Sequence, residues 1–221
     1  GYGEICSYNQ NKNGHFASLW LKLPYTIDDE NKVERFVDQE NGMGYHIAHA
    51  VTPRVTTRST GLDRYANLVL DFDSVEETEN GRRVLRSLGL EHQIEVFTGR
   101  GSHLYFLLDK MTPAEEIRDR YQRLCQLAGS DPTFDPPRIA RTPGTRNWKL
   151  IEEVWCMVTS YTPGRISAER LRDAIPLPAT RKTVAAPPLP PPCAARGLVL
   201  DDLPRRVREA LAYGTSHYRS R

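Results

Sequence analysis

The stretch from Asn67 to Ala128 constrains the fold most, because its pattern switches repeatedly between strand-like and helix-like. Asn67–Leu70 (NLVL) is a short apolar, β-prone run that ends in Asp71-Phe72-Asp73. Ser74 and Glu77 then form a capping-box pattern, which predicts a helix ending near Gly89. Gln93–Phe97 alternates like a strand, Thr98–Ser102 (TGRGS) is a glycine turn, and His103–Leu108 (HLYFLL) is a second strand. Thr112 and Glu115 make another capping box and predict a helix to about Ala128. Arg138–Arg141 and Glu153–Thr159 read as further strands. The order β-α-β-β-α-β is the split βαβ arrangement, an α+β sheet with its helices on one face. Many unrelated proteins share it, so function has to be argued from particular side chains.

The flanks are less ordered in pattern. Lys32–Gln39 suggests a helix, and Gly42, Gly44 and Pro53 mark turns in an N-terminal part expected to pack beside the sheet. Ile166–Ile175 has helical spacing with Ser167 as its N-cap. Val184–Cys193 (VAAPPLPPPC) favours an extended linker, and Leu203–Tyr213 reads as a further helix. The expected organisation is a catalytic domain over 1–180, a proline-rich linker over 181–196, and the start of a helical accessory region over 197–221. The natural chain is expected to continue beyond that.

Charge decides little here. Thirty basic and 28 acidic residues leave a formal +2, which neither demands nor excludes a nucleic-acid partner. Cys6, Cys125, Cys156 and Cys193 are far apart and form no C-x-x-C pair, so neither a disulfide framework nor a zinc site is expected. No run approaches the ~18 apolar residues of a membrane span, and a cytoplasmic setting is expected.

Three clusters carry chemistry. Asp71 and Asp73 are two apart, so on a strand their carboxylates share a face. Such a pair repels itself unless a cation intervenes, and hard oxygen ligands suit Mg²⁺ or Mn²⁺. The bland reading is a pair of solvated acids serving a helix N-terminus. Gly99-Arg100-Gly101-Ser102-His103 offers close backbone approach and donors to phosphate, or is an ordinary hairpin turn. Asp131–Lys149 gathers Arg138, Arg141, Asn147 and Lys149 around Pro143-Gly144-Thr145, as phosphate or template binding needs, or as any exposed basic loop does.

In this order the three clusters resemble the archaeo-eukaryotic primase superfamily, in its plasmid and phage primase-polymerase branch. The first family motif, an apolar strand ending in acid-x-acid, matches Leu70–Asp73. The second matches Gly101-Ser102-His103. The third, an acid ahead of an arginine strand and a Pro-Gly-Thr turn, matches Asp131, Arg138, Arg141, Pro143–Thr145, Asn147 and Lys149. The likeness covers roughly Gly44–Tyr161. It implies an RRM-like palm packed with an N-terminal α/β unit, here followed by a short helical C-terminal extension.

It also implies templated nucleotidyl transfer with two Mg²⁺ or Mn²⁺ ions on Asp71, Asp73 and a third acid, Asp131 or alternatively Asp135. Ser102, His103, Arg138, Arg141 and Lys149, with Arg100 and Asn147, would then bind a dNTP or NTP. The implied partners are a single-stranded DNA template and primer, and a helicase or helical domain in the full-length chain, in a phage, plasmid or prokaryotic host. No membrane partner is implied.

Three other readings compete. LVLDFDSV nearly fits the opening motif of haloacid-dehalogenase-type phosphatases, with Asp71 as nucleophile and Asp73 as acid/base. His46-Ile47-Ala48-His49 approaches the paired histidines of replication-initiator nucleases, with one residue too many between them. A non-catalytic RNA-binding domain of this topology would need exposed strand aromatics, for which Tyr105 is the candidate.

Overall fold

The computed structural model describes residues 2–9, 15–53, 63–150 and 152–177, all within the unit Gly1–Pro178. In chain order the elements are β1 (Tyr2–Tyr8), β2 (Phe16–Lys22), α1 (Ile27–Gly42), β3 (His46–Ala50), β4 (Arg64–Asp71) and α2 (Val75–Ser87). They continue with β5 (Ile94–Phe97), β6 (Ser102–Pro113), α3 (Ala114–Ala128), β7 (Ile139–Arg141), β8 (Met157–Tyr161) and α4 (Ala168–Ala174). The expected linker and the helix over Leu203–Tyr213 lie outside the described residues, as does Cys193. Cys125 and Cys156 are buried free thiols, and Cys6 is buried as well. Among the described residues no helix is long and apolar enough to cross a membrane.

Two antiparallel four-stranded sheets result, ordered β2-β1-β3-β7 and β4-β6-β5-β8. The fold class is α+β, as the pattern implied. Alternation along the strands gives the second sheet two buried faces. Leu68 and Leu70 of β4, with Leu104, Phe106 and Leu108 of β6, pack against Leu85, Ile117, Tyr121, Leu124 and Leu171 of α2, α3 and α4. The intervening Val69, Val96 and Tyr105 pack with Val51, Ala140 and Cys156 on the opposite face. Each large apolar side chain buried this way contributes about 1.5–3 kcal/mol.

Helix starts follow local chemistry. Thr26 caps α1 in a full capping box with Asp29, behind acids at 28, 29 and 30 that suit the positive helix end. Ser74 caps α2 by accepting from Glu77 N, while the Glu77 carboxylate accepts from Asp73 N. Ser167 caps α4.

Two expectations change. Thr112 does not cap α3: it pairs with Tyr65 in the ladder, its hydroxyl donates to Lys110 O, and Pro113 stands at the N-cap without a side-chain bond. The length of β4 explains this, because Arg64 and Tyr65 prolong the ladder past Leu108 to Pro113. The segment Arg138–Arg141, expected as the next strand of the split βαβ sheet, instead supplies β7 to the other sheet, opposite β3. The outer side of β4 is already occupied. Asp131 N donates to Asp71 O at 2.9 Å, and the Thr133 hydroxyl donates to Val69 O. The fourth strand of the sheet is β8, added beside β5 at the far edge.

Candidate active site

Pairing register builds the site. Asp71, the last residue of β4, faces His103 directly across the β4–β6 ladder. Asp71 Oδ1 lies 3.2 Å from His103 Nε2, and Oδ2 lies 3.8 Å from the Arg138 guanidinium. Burial pushes the Asp71 carboxyl up, but the His103 hydrogen bond and the charges of His103, Arg138 and Arg141 outweigh it, and the net shift is downward. Asp71 is therefore a firmly ionised carboxylate at a strand end. His103 Nδ1 is buried without a hydrogen-bond partner among the described residues.

Asp73 follows on the turn into α2, beyond the end of β4. Its side chain is 70% exposed and lies 3.8 Å from Arg100. The third acid arrives from another direction. Tyr121 of α3 accepts from Val69 N and donates to Val69 O, and Thr133 bonds the same carbonyl, so the segment leaving α3 is docked along β4. That docking places Asp131 beside Asp71. Although Asp131 is exposed, partial desolvation of its carboxyl, then the charges of Asp71 and Asp73, raise it above its ordinary range.

These acids share one pocket with Arg100, His103, Arg141, Asn147 and Lys149, and Thr98 and Gly101 complete its wall. Asp135 does not line it. The glycine turn is shaped by the protein's own backbone: a Cβ on Gly101 would lie 1.9 Å from Phe72 O, and Gly99 has φ +113°. The turn is thereby pressed against the Asp71–Ser74 segment, with Phe72 N donating to Ser102 O.

Two of the expected nucleotide-binding residues have their side chains engaged elsewhere. Ser102 is buried, its hydroxyl donating to Glu95 at 3.1 Å on the helix-facing side, where Glu95 also pairs with Arg82 of α2. Asn147 lines the pocket, but its side chain bridges two loops, donating to Thr98 O at 2.6 Å and accepting from Lys149 N at 3.1 Å. Arg138 contributes through its ion pair with Asp71 rather than as pocket lining.

The histidines of the HIAH run part company. His46 contacts Tyr8 and Arg141, whereas His49 contacts Thr142 and Tyr105. Tyr105 is buried between the sheets, so it offers no exposed stacking surface. His46 was not legible as a site residue, since its partner Arg141 lies 95 positions later in the chain.

Among the described residues, no three His, Cys, Asp or Glu side chains form a ready-made metal cage. The three carboxylates line the same pocket without converging on a point. Their chemistry nonetheless fits a divalent ion. They are hard oxygen donors, and the Asp131 carboxyl, raised first by desolvation and then by the charges of Asp71 and Asp73, feels a repulsion that such an ion relieves.

A two-sheet antiparallel α+β fold with acids and cations gathered at the ends of β4 and β6 defines a structural class. No protein-family model and no curated protein sequence matches the chain. In three dimensions it is similar to the AEP domain of the cyanophage S-2L primase-polymerase, with TM-score 0.60 and 15% identity over 79% of this chain and 89% of that one. It is also similar to primase RepB′, with TM-score 0.60 and 13% identity over 78% of this chain and 56% of that one. The catalytic domain of RepB′ in complex with initiator DNA gives TM-score 0.59 and 14% identity over 78% and 85% of the two chains. The chain shares the fold of these primase and primase-polymerase domains.

Proposed function

We propose that this chain is a primase-polymerase module that catalyses templated nucleotidyl transfer. One observation carries the reading: Asp71, Asp73 and Asp131 line the same pocket as Arg100, His103, Arg141 and Lys149. Carboxylates alone would suit many cation sites, and cations alone many anion sites. Both together suit a substrate that is a metal–polyphosphate complex.

Asp71, Asp73 and Asp131 would hold two Mg²⁺ or Mn²⁺ ions. Bound there, the ions would supply charge that activates a 3′-hydroxyl and steadies a leaving pyrophosphate. His103 orients Asp71 and keeps it ionised. Arg141, Lys149 and Arg100 supply donors and positive charge for the triphosphate of a dNTP or NTP. Arg138 steadies Asp71 from the opposite side. A DNA template and primer are the expected macromolecular partners, in keeping with the initiator DNA bound by the RepB′ catalytic domain. A helicase or helical domain elsewhere in the full-length chain, and a phage or plasmid setting in a prokaryotic cytoplasm, belong to the same reading.

Primer extension on a templated DNA hairpin, with dNTPs or NTPs and Mg²⁺ or Mn²⁺, tests the proposal. Extension by the wild type that disappears in Asp71→Ala/Asp73→Ala is the expected result. Extension that persists in a folded double variant overturns it. Metal-dependent release of phosphate from a generic phosphoester, without any extension, would favour a phosphatase instead.

A further inference from the structure

We infer that His46 is a positioning residue: it holds the Arg141 guanidinium in place, making the end of β7 an oriented seat for the polyphosphate of the substrate. The inference rests on the proposed reading for the identity of that substrate, but not for the geometry.

Arg141 reaches the pocket from β7, and its Nη1 lies 3.0 Å from His46 Nδ1 on the adjacent β3. Arg141 carries no acceptor, so it donates and His46 Nδ1 accepts. The ring proton therefore sits on Nε2, and the imidazole is neutral. Burial, reinforced by the charges of Arg141 and Lys149, holds the His46 pKa down to about 4, consistent with that state. Tyr8 of β1 stacks on the ring with centroids 5.3 Å apart and a 30° interplanar angle, fixing the plane of the acceptor. His46 itself is 3% exposed.

A neutral acceptor matters here. The nearest alternatives for an arginine in this pocket are carboxylates, and the Asp71 carboxylate already feels its charge. An aspartate or glutamate at position 46 would orient the guanidinium but cancel its charge. An imidazole accepting through Nδ1 orients one N–H and leaves the full positive charge and the remaining donors for an anion. Without it, the side chain is free to turn toward the acids, where it would compete with a metal ion instead of serving the phosphates.

The experiment measures binding of inorganic tripolyphosphate to the full chain by calorimetry, beside nucleotide KM and kcat in primer extension. His46→Leu removes the acceptor and keeps bulk. It should weaken tripolyphosphate binding by roughly tenfold or more, the scale of a hydrogen bond to a charged group. It should also raise nucleotide KM far more than it lowers kcat. His46→Asn, which can present an acceptor near the Nδ1 position, should recover most of the loss, whereas His46→Asp should not. In an Arg141→Met background, His46→Leu should add nothing further.

Wild-type affinity in His46→Leu, full affinity in His46→Asp, or an added loss in the Arg141→Met background overturns the inference. If His46→Leu fails to fold, the contrast between the Asn and Asp variants decides the matter on the same criteria. Should the wild type extend no primer while the tripolyphosphate pattern holds, the polymerase reading falls and the oriented anion seat stands.

Discussion

His103 Nε2 lies 3.2 Å from Asp71 Oδ1, between two residues that face each other directly in the β4–β6 ladder. The contact lowers the Asp71 carboxyl against the upward push of its burial. Removing it lets the Asp71 pKa rise, so the carboxylate is lost at a higher pH as acid is added. His103→Ala should therefore move the acid limb of the pH–rate profile to higher pH. An acid limb that stays in place would show that His103 does not control Asp71.

Asp131 and Asp135 part company by position. Asp131 lines the pocket and donates its backbone N–H to Asp71 O, whereas Asp135 does not line it. Asp131→Asn should lower extension by at least about a hundredfold, since even partners behind metal ligands are worth 10–100-fold. Asp135→Asn should leave extension nearly intact. Equal losses would put the third acid in doubt.

A second consequence concerns stability. The folded-state pKa of Asp131 is raised by partial desolvation and then by its acidic neighbours. Its contribution is present below the unfolded pKa and is lost as pH rises through the raised folded value. Asp131 is exposed, so solvent screens much of the repulsion; at neutral pH in chelator Asp131→Asn should still raise Tm, by about 1 °C at most, within the range of surface substitutions. A lower Tm in the variant would contradict the repulsion.

Ser102 separates a packing role from a binding role. Its hydroxyl donates to buried Glu95, which also holds Arg82 of α2, and the side chain is absent from the pocket lining. Ser102→Ala should cost about 1 kcal/mol in urea unfolding while nucleotide KM stays at its wild-type value. A large rise in KM with unchanged stability would return Ser102 to the site.

The parts of this architecture that were legible in the sequence are those set by near neighbours. Ser74 and Ser167 announce their helices because a cap is a contact over three residues. The short apolar, β-prone run ending at Asp71 and the run from His103 announce their strands, and Gln93–Phe97 does so by alternation. Thr112 carried the same signal as Ser74 and lies instead in a strand, because Tyr65, far upstream, claims it for the ladder. The destination of Ile139–Arg141 was hidden for the same reason. A three-residue strand does not encode its partner, and the partner β3 lies some ninety residues earlier. The candidate site inherits this division. Its acids and basic residues were readable as motifs, but the side on which Ser102 points and the acceptor behind Arg141 depend on packing between distant segments.

The loop carrying Arg146, Asn147 and Lys149 is held by a single residue of α1, and that gives a last prediction. Asn41 is buried, and its Oδ1 accepts from Arg146 N at 2.8 Å. Its Nδ2 donates to Arg146 O at 3.1 Å and to Tyr45 O at 3.0 Å, while its backbone carbonyl accepts from Trp148 Nε1 at 2.9 Å. The Arg146 guanidinium stacks on the Trp148 ring at 3.8 Å, so the clamp and the stack restrain the same turn. Asn41→Ala removes three hydrogen bonds and strips the side-chain partners from Arg146 N and O. Because such groups cost about 1–3 kcal/mol when left unmade, the variant should lose about 2–4 kcal/mol in urea unfolding. Lys149 sits two residues past Asn147 on this turn and lines the pocket, so the freed loop should also raise nucleotide KM. The two effects are separable: saturating nucleotide should restore kcat but not the unfolding free energy. A variant with wild-type stability would show that α1 does not anchor the basic loop.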